Sequence, residues 1–384
     1  MLTVRSCKKL NTSQDLDKQT KAPNLFEYAT SELTQDAFLS WLFEHIRLNT
    51  SGAPHRMAER LLHLILEKYQ SIDLTFEYPR LSDYSMKKIK QQWKNIDLLI
   101  TFSSNVGSEN IHIILEDKVN SGESRKKQLE YYTDKLKEKS TGTIIPVLFK
   151  TGYASEKEKD DFENRNLVFI GYEDIYDLFS PYEQEFMEDV ILKSWWSYFC
   201  ERYYDPIEKA KELPIENYTS LNCFREEIKD EAYPEQIVFK VLTDYLFENL
   251  HDHFLTKPFR FQGKGHVDWH YALSRATWKS KERNISVHIY FKWDTRKFSL
   301  ILKTAPYRYK PLKKLKGEDR ESYMASRDAI KEELKNHQVG HWKENNQYLQ
   351  IAHRKGLSDT PMGQLKTEME RELKEIARVI DTFM

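Results

Sequence analysis

The segment Ile111 to Val119, IHIILEDKV, constrains the chain more than any other. An Ile/Leu run of this length predicts a central strand buried on both faces, because a half-solvated strand would alternate apolar with polar residues. The run nevertheless closes on Glu116, Asp117 and Lys118. Charge at the end of a buried strand is costly unless it has a partner or a use. Strand geometry sorts the three: side chains two apart share a face, so Glu116 and Lys118 act together while Asp117 points away, most simply into solvent. A second apolar strand, Asn95 to Phe102, carries one acid, Asp97. If the two strands are neighbours, Asp97 meets Glu116 across the ladder. After a turn at Asn120 to Glu123, a helix sets Gln128 and Tyr132 four apart on one face.

Asp97, Glu116-x-Lys118 and Gln128-x-x-x-Tyr132, in this order and each on its own element, resemble the PD-(D/E)XK nuclease superfamily, most closely its RecB-type branch with the QxxxY helix. Asp97 precedes Glu116 by 19 residues and Lys118 precedes Gln128 by 10, which suits a hairpin followed by a short turn. Ile96 stands where the family's name has proline, a position that does no chemistry. The resemblance implies an α/β domain, a restriction-endonuclease-like mixed sheet flanked by helices. It implies Mg²⁺ or Mn²⁺ held by Asp97, Glu116 and the main-chain carbonyl of Asp117. Lys118 would sit beside the attacking water, and Gln128 and Tyr132 would orient the nucleotide or the lysine. Cleavage would leave a 5′ phosphate and a 3′ hydroxyl. A plainer reading pairs Glu116 with Lys118 as an ion pair beside a strand-end aspartate, and leaves Glu123 solvated.

Size argues for about two domains in the 384 residues. A formal net charge of −1 says nothing about partners, and 40% hydrophobic residues are enough for packed cores. Cys7, Cys200 and Cys223 have no metal-type spacing and cannot all pair, which predicts a reduced, cytoplasmic protein. The first residues lack the apolar core of a signal peptide, and no segment approaches 18 uninterrupted apolar residues.

Residues 1 to 24 read as a loose arm, 25 to 205 as the nuclease domain and 206 to 384 as a smaller α+β domain. From Thr30 a helix presents Phe38, Trp41, Leu42, Phe43 and Ile46 at helical spacing. Glu32 in its first turn either complements the helix dipole or, as the resemblance implies, completes the metal site, with Asp36 as rival donor. A helix at His55 to Gln70 and a strand at Leu74 to Tyr78 follow. A basic connection, Met86 to Lys94, then brings Lys87, Lys88, Lys90 and Lys94 to the doorway of the site, where they are either solvated or a grip on phosphate. Strand Thr143 to Phe149, helix Ser155 to Asn164, strand Leu167 to Ile170 and helix Asp174 to Leu178 predict parallel neighbours. Between Ala154 and Asp189 stand 12 acidic and 3 basic residues, a face that should repel nucleic acid. A long helix, Glu183 to Tyr204, is expected to end at Asp205-Pro206.

Beyond it, a helix at Pro234 to Leu250 precedes three alternating strands around Val267 to Leu273, Ile285 to Trp293 and Phe298 to Leu302. A tight hairpin at Asp294 to Lys297 joins the last two. Alternation predicts an antiparallel sheet with one wet face. Helices follow at Asp319 to Asn336 and from Met362. Residues 255 to 316 hold 16 Lys or Arg against 3 Asp or Glu, and Arg308, Lys310, Lys313, Lys314 and Lys316 mix with tyrosines, the footprint of a nucleic-acid grip or of a basic surface balanced by an acidic neighbour. His266, Asp268, His270 and His288 read as a solvated sheet face rather than a metal site. Two functions stay open: a metal-dependent nuclease acting on DNA in repair or phage defence, as a homodimer or within a complex, or a protein that keeps the fold and only binds.

Overall fold

The computed structural model describes residues 24–28, 31–93, 96–119, 128–230, 235–263, 266–293, 298–308, 314–337, 350–354 and 359–384; within them the side chains of 27, 31–33, 157, 229–230, 235–236, 257–263, 266–268 and 350–354 lie outside the description. The chain divides into two compact units between Lys209 and Ala210.

In the amino-terminal unit α1 (Leu25–Tyr28), α2 (Ser31–Arg47) and α3 (Ala53–Ile72) precede a five-stranded sheet. Its strands are β1 (Tyr84–Trp93), β2 (Ile96–Ser104), β3 (Asn110–Lys118), β4 (Thr143–Lys150) and β5 (Val168–Ile170), lying in that spatial order. β1, β2 and β3 form an antiparallel meander, whereas β3, β4 and β5 are parallel. The change of direction follows from the connections: α4 (Gln128–Lys137) and α5 (Glu156–Glu163) supply the crossovers that parallel neighbours need. β3 is the central strand, and every residue from Ile111 to Lys118 is buried. The starts of β3 and β4 are pressed together at Gly142, whose φ is +113° and where a Cβ would lie 2.1 Å from the Asn110 carbonyl oxygen. No residue with a side chain fits there without displacing backbone. Leu99, Ile114, Leu129, Tyr132, Ile144, Leu148 and Phe169 form a core cluster in which α4 meets the sheet.

Several expectations are corrected. Leu74 to Tyr78 is not a strand, and Leu74 is 88% exposed. Asp73 accepts from the Thr75 amide at 3.0 Å and turns the chain, after which Phe76 packs on Tyr69 and Tyr78 on His63 of α3. Aromatic contact with the preceding helix thus replaces a ladder. The basic connection Met86 to Lys94 is instead the edge strand β1 through Trp93, with a register shift between Met86 and Lys88. Lysine on an edge strand discourages pairing with further chains, which is why the strand is polar enough to look like a loop. The long helix is broken after α7 (Glu183–Phe186), because Asp189 caps a new start, accepting from the amides of Ile191 and Leu192 at 3.0 and 2.9 Å. From there α8 (Val190–Phe199) passes through a π turn, Cys200–Tyr204, into α9 (Asp205–Lys211). Asp205-Pro206 therefore lies inside a helical run. The wide turn ahead of it restarts the α hydrogen-bond pattern, and a proline in a first turn forfeits no donor.

In the carboxyl-terminal unit α10 (Leu221–Asp230) and α11 (Glu235–Phe247) lead into β6 (Leu255–Gly263), β7 (His266–Ser274), the short β8 (Lys279–Ser280), β9 (Ile285–Trp293) and β10 (Phe298–Ala305). α12 (Gly317–Asn336), β11 (Gln350–Arg354) and α13 (Met362–Phe383) complete it. The sheet order is β11-β10-β9-β7-β6, with β8 beside β9 and every pair antiparallel. Phe239 of α11 stacks on Phe291 at 6.1 Å, and Phe247 stacks on Tyr271 at 4.9 Å. The wet face is only half wet: His288, Tyr290, Lys292 and Lys303 are half-buried and Ser299 is buried. The hairpin at 294–297 lies outside the described residues, although β9 and β10 are antiparallel neighbours. β6, β8, β11 and α10 are additional to the elements expected from the sequence.

Candidate active site

The polar cluster forms where β2 begins and β3 ends. Antiparallel register sets Leu98 opposite Leu115 and Leu99 opposite Ile114, so Asp97 comes level with the last residues of β3. The Asp117 amide donates to Asp97 Oδ2 at 3.0 Å, tying the two strand ends together. Glu116 and Lys118 project to the face that carries α4. Lys118 Nζ lies 2.8 Å from Glu116 Oε1, donates to the Asp117 carbonyl at 2.6 Å and stands 3.5 Å from Asp97 Oδ2. One ammonium thus collects three oxygens, from Asp97 of β2 and from Glu116 and Asp117 of β3.

From the first turn of α4, Gln128 Nε2 donates to Glu116 Oε1 at 2.7 Å and to Tyr132 Oη at 3.1 Å. Helical spacing puts the amide and the phenol side by side, and both are buried. Glu116 is 1% exposed, and its second oxygen, Oε2, has no hydrogen-bond partner among the described residues. Burial, and then the negative charge of Asp97, push the Glu116 carboxyl up to about 7 against the opposing Lys118 ammonium.

Behind the cluster Asp117 is fully buried, not solvated as its alternation alone suggests. Its carboxylate accepts from Gln35 Nε2 of α2, and Gln35 Oε1 accepts from Thr151 Oγ1 at 3.0 Å. The Thr151 amide in turn donates to the Lys118 carbonyl at 3.2 Å. Gln35 and Thr151 are absent from the expected site set. The one signal that could have found Gln35 is its place three residues after Glu32, on the same helix face. The side chain of Glu32 lies outside the described residues, while its rival Asp36 is buried. Lys94, Lys310 and Lys313 also fall outside the described residues. Arg308, Lys314 and Lys316 are exposed on the carboxyl-terminal unit.

The donor set suits a divalent cation. Two carboxylates and a main-chain carbonyl are hard oxygen ligands of the kind Mg²⁺ and Mn²⁺ select. A buried carboxylate oxygen without a partner is costly unless an ion completes it. Among the described residues no group of three or more His, Cys, Asp or Glu stands together as a metal site. An ion held here would therefore complete its shell with water or substrate oxygens. Among the described residues no helix is long and apolar enough to cross a membrane.

No curated protein and no solved structure matches the chain. Residues 23–205, which span β1 to β5 and every residue of the cluster, match the PD-(D/E)XK nuclease superfamily. The mixed five-stranded sheet with flanking helices in the amino-terminal unit is consistent with the fold of that superfamily.

Proposed function

We propose that the amino-terminal unit hydrolyses phosphodiester bonds in DNA with the help of Mg²⁺ or Mn²⁺, and that Asp97, Glu116 and the Asp117 carbonyl are its metal ligands. The observation that carries this reading is the convergence of those three oxygens on one ammonium, beside a buried carboxylate oxygen left without a partner. Placement in the RecB-type branch draws support from the contact between Gln128 and Glu116. Glu32 is the proposed additional carboxylate.

A bound divalent cation supplies the Lewis acidity that makes water nucleophilic near neutral pH and offsets charge on the phosphate. The side chains do the rest. Gln128 occupies Glu116 Oε1 and so leaves Oε2 as the donor oxygen, while Tyr132 fixes the amide in that orientation. Lys118 carries a compact charge that stabilises the negative charge growing on the phosphate oxygens. Gln35 and Thr151 hold Asp117 from behind and with it the main-chain carbonyl that would help to hold the ion. Hydrolysis forms a bond from the water oxygen to phosphorus and breaks the bond from phosphorus to the 3′ oxygen. The water gives up a proton and the 3′ oxygen gains one.

The deciding experiment incubates single-stranded, duplex and branched DNA, and RNA, with the wild type and Lys118→Ala, in Mg²⁺, Mn²⁺ or EDTA. Cleavage of DNA that needs metal and disappears in the variant is the expected result. Salt-sensitive binding without cleavage of any substrate would make this a binding protein that has kept the nuclease fold.

A further inference from the structure

The edge strand β1 carries a second feature on the face of the catalytic cluster. Register pairs Lys88 with Thr101 and Lys90 with Leu99, so both lysines share the sheet face that holds Leu99, Ile114 and Glu116. Their neighbour on β2, two residues beyond Leu99, is Asp97. From the opposite face Gln91 Nε2 donates to Ser40 Oγ at 2.7 Å and to the Asp36 carbonyl at 3.4 Å, anchoring β1 to α2. This anchor fixes which way the lysines point.

Lys88 and Lys90 stand two residues apart on one face of β1. Lys90 Nζ stands 5.0 Å from the centre of the Trp93 ring, and Trp93 packs against the core cluster that includes Leu129 and Tyr132. Burial, and then the adjacent Lys88 ammonium, lower the Lys90 pKa. Among the described residues neither lysine has a carboxylate within ion-pair distance, whereas Lys68, Lys150, Lys159 and Arg165 of the same unit each have one. Two adjacent cations without an acid lose free energy by mutual repulsion, and an anion between them recovers it.

The geometry points to a phosphate clamp: Lys88 and Lys90 bind the backbone of a nucleic-acid strand beside the catalytic cluster, and Trp93 orients Lys90 for that contact. At about 3.4 Å of rise per residue and one strand spacing of about 5 Å across, Lys90 lies about 7 Å and Lys88 about 14 Å along the sheet from Asp97. That is within reach of a short oligonucleotide lying over the site. The contrast with the carboxyl-terminal unit supports the choice. There Arg308 and Lys281 line a cavity of about 330 Å³ together with Glu282, Glu318 and Asp319, so these two cations share their surroundings with carboxylates.

The inference takes its ligand class from the nuclease reading, but it is tested by binding alone. Fluorescence anisotropy in EDTA, with a labelled single-stranded DNA 20-mer across a salt series, compares wild type, Lys88→Ala/Lys90→Ala, Trp93→Leu and Lys87→Ala. Lys87 falls in the register shift, outside the clamp pairing, and serves as the control. The double variant should bind about tenfold more weakly at low salt, and its slope of log Kd against log salt should fall by about 2. Trp93→Leu should lose a smaller share, and Lys87→Ala should change Kd by less than about twofold. Thermal melts establish that each variant is folded. An unchanged slope in the double variant, an equal loss in Lys87→Ala, or a wild type that binds no DNA overturns the clamp. Binding through these lysines by a protein that cuts nothing in Mg²⁺ leaves the clamp standing and sinks the nuclease reading. Cleavage with an unchanged slope does the reverse.

Discussion

The two sheets use their interiors differently. In the amino-terminal sheet the buried set includes Glu116, Asp117, Lys118 and Lys150, four ionisable groups on the ends of two neighbouring strands. In the carboxyl-terminal sheet the described buried polar side chains are Ser286, Ser299, Thr304 and one imidazole, His270, with no carboxylate or ammonium among them, and the centre is aromatic. Burying a charge costs several kcal/mol unless partners repay it. Lys150 is repaid in full by Glu158, whose two oxygens it meets at 2.5 and 2.6 Å. Glu116 is repaid on one oxygen only. Where a fold tolerates an incompletely satisfied charge, the remaining valence is the place to look for chemistry, and the second sheet buries no carboxylate or ammonium among its described residues.

The largest effect that could break this contrast is on turnover. Glu116→Gln should reduce cleavage on the order of 10³-fold, whereas Thr304→Val in the other sheet should leave kcat within about twofold. Initial rates on the preferred DNA substrate decide it, and a Glu116→Gln enzyme cutting at the wild-type rate would remove the basis for the comparison.

Next in size is packing. Phe291→Ala empties a site lined by Phe239, Phe247 and Phe298 and should cost about 3–5 kcal/mol in urea unfolding. At Gly142→Ala the new Cβ meets the Asn110 carbonyl and the backbone keeps a φ that alanine disfavours; a loss of roughly 2–3 kcal/mol is expected in the amino-terminal unit. If Gly142→Ala melts like wild type, the close approach of β3 and β4 is looser than described.

The smallest effect is on acid stability. Burial holds His112 of β3 below the ordinary imidazole pKa, and burial with Lys279 does the same to His288 of β9. Both are neutral when folded, and the unfolded chain binds their protons more readily. Their contribution is intact above about pH 6.5 and is lost as pH falls toward the lower folded values. Melts from pH 7.5 to 5 should show a shallower acid limb in His112→Gln and in His288→Gln. Identical limbs in all three proteins would mean that neither imidazole is held neutral.

The sequence by itself determined the elements whose signal is local. The apolar run of β3, the alternation of β9 and the helical spacing of Gln128 and Tyr132 each depend on one period, and each element is where that period puts it. The order of Asp97, Glu116 and Lys118 was legible for the same reason, since strand alternation and one hairpin suffice to bring them together. Only the tertiary structure decided what depends on a partner far along the chain. β1 is a strand because β2 accepts its hydrogen bonds, not because its lysines favour one. Asp117 is buried because Gln35, 82 residues earlier, covers it. Phe76 and Tyr78 lie on α3 because two rings were closer than any ladder. Periodicity reports which face of an element is apolar. It carries no information on what lies against the other face, and there the position of Gln35 and the pairing of Lys88 with Lys90 were settled.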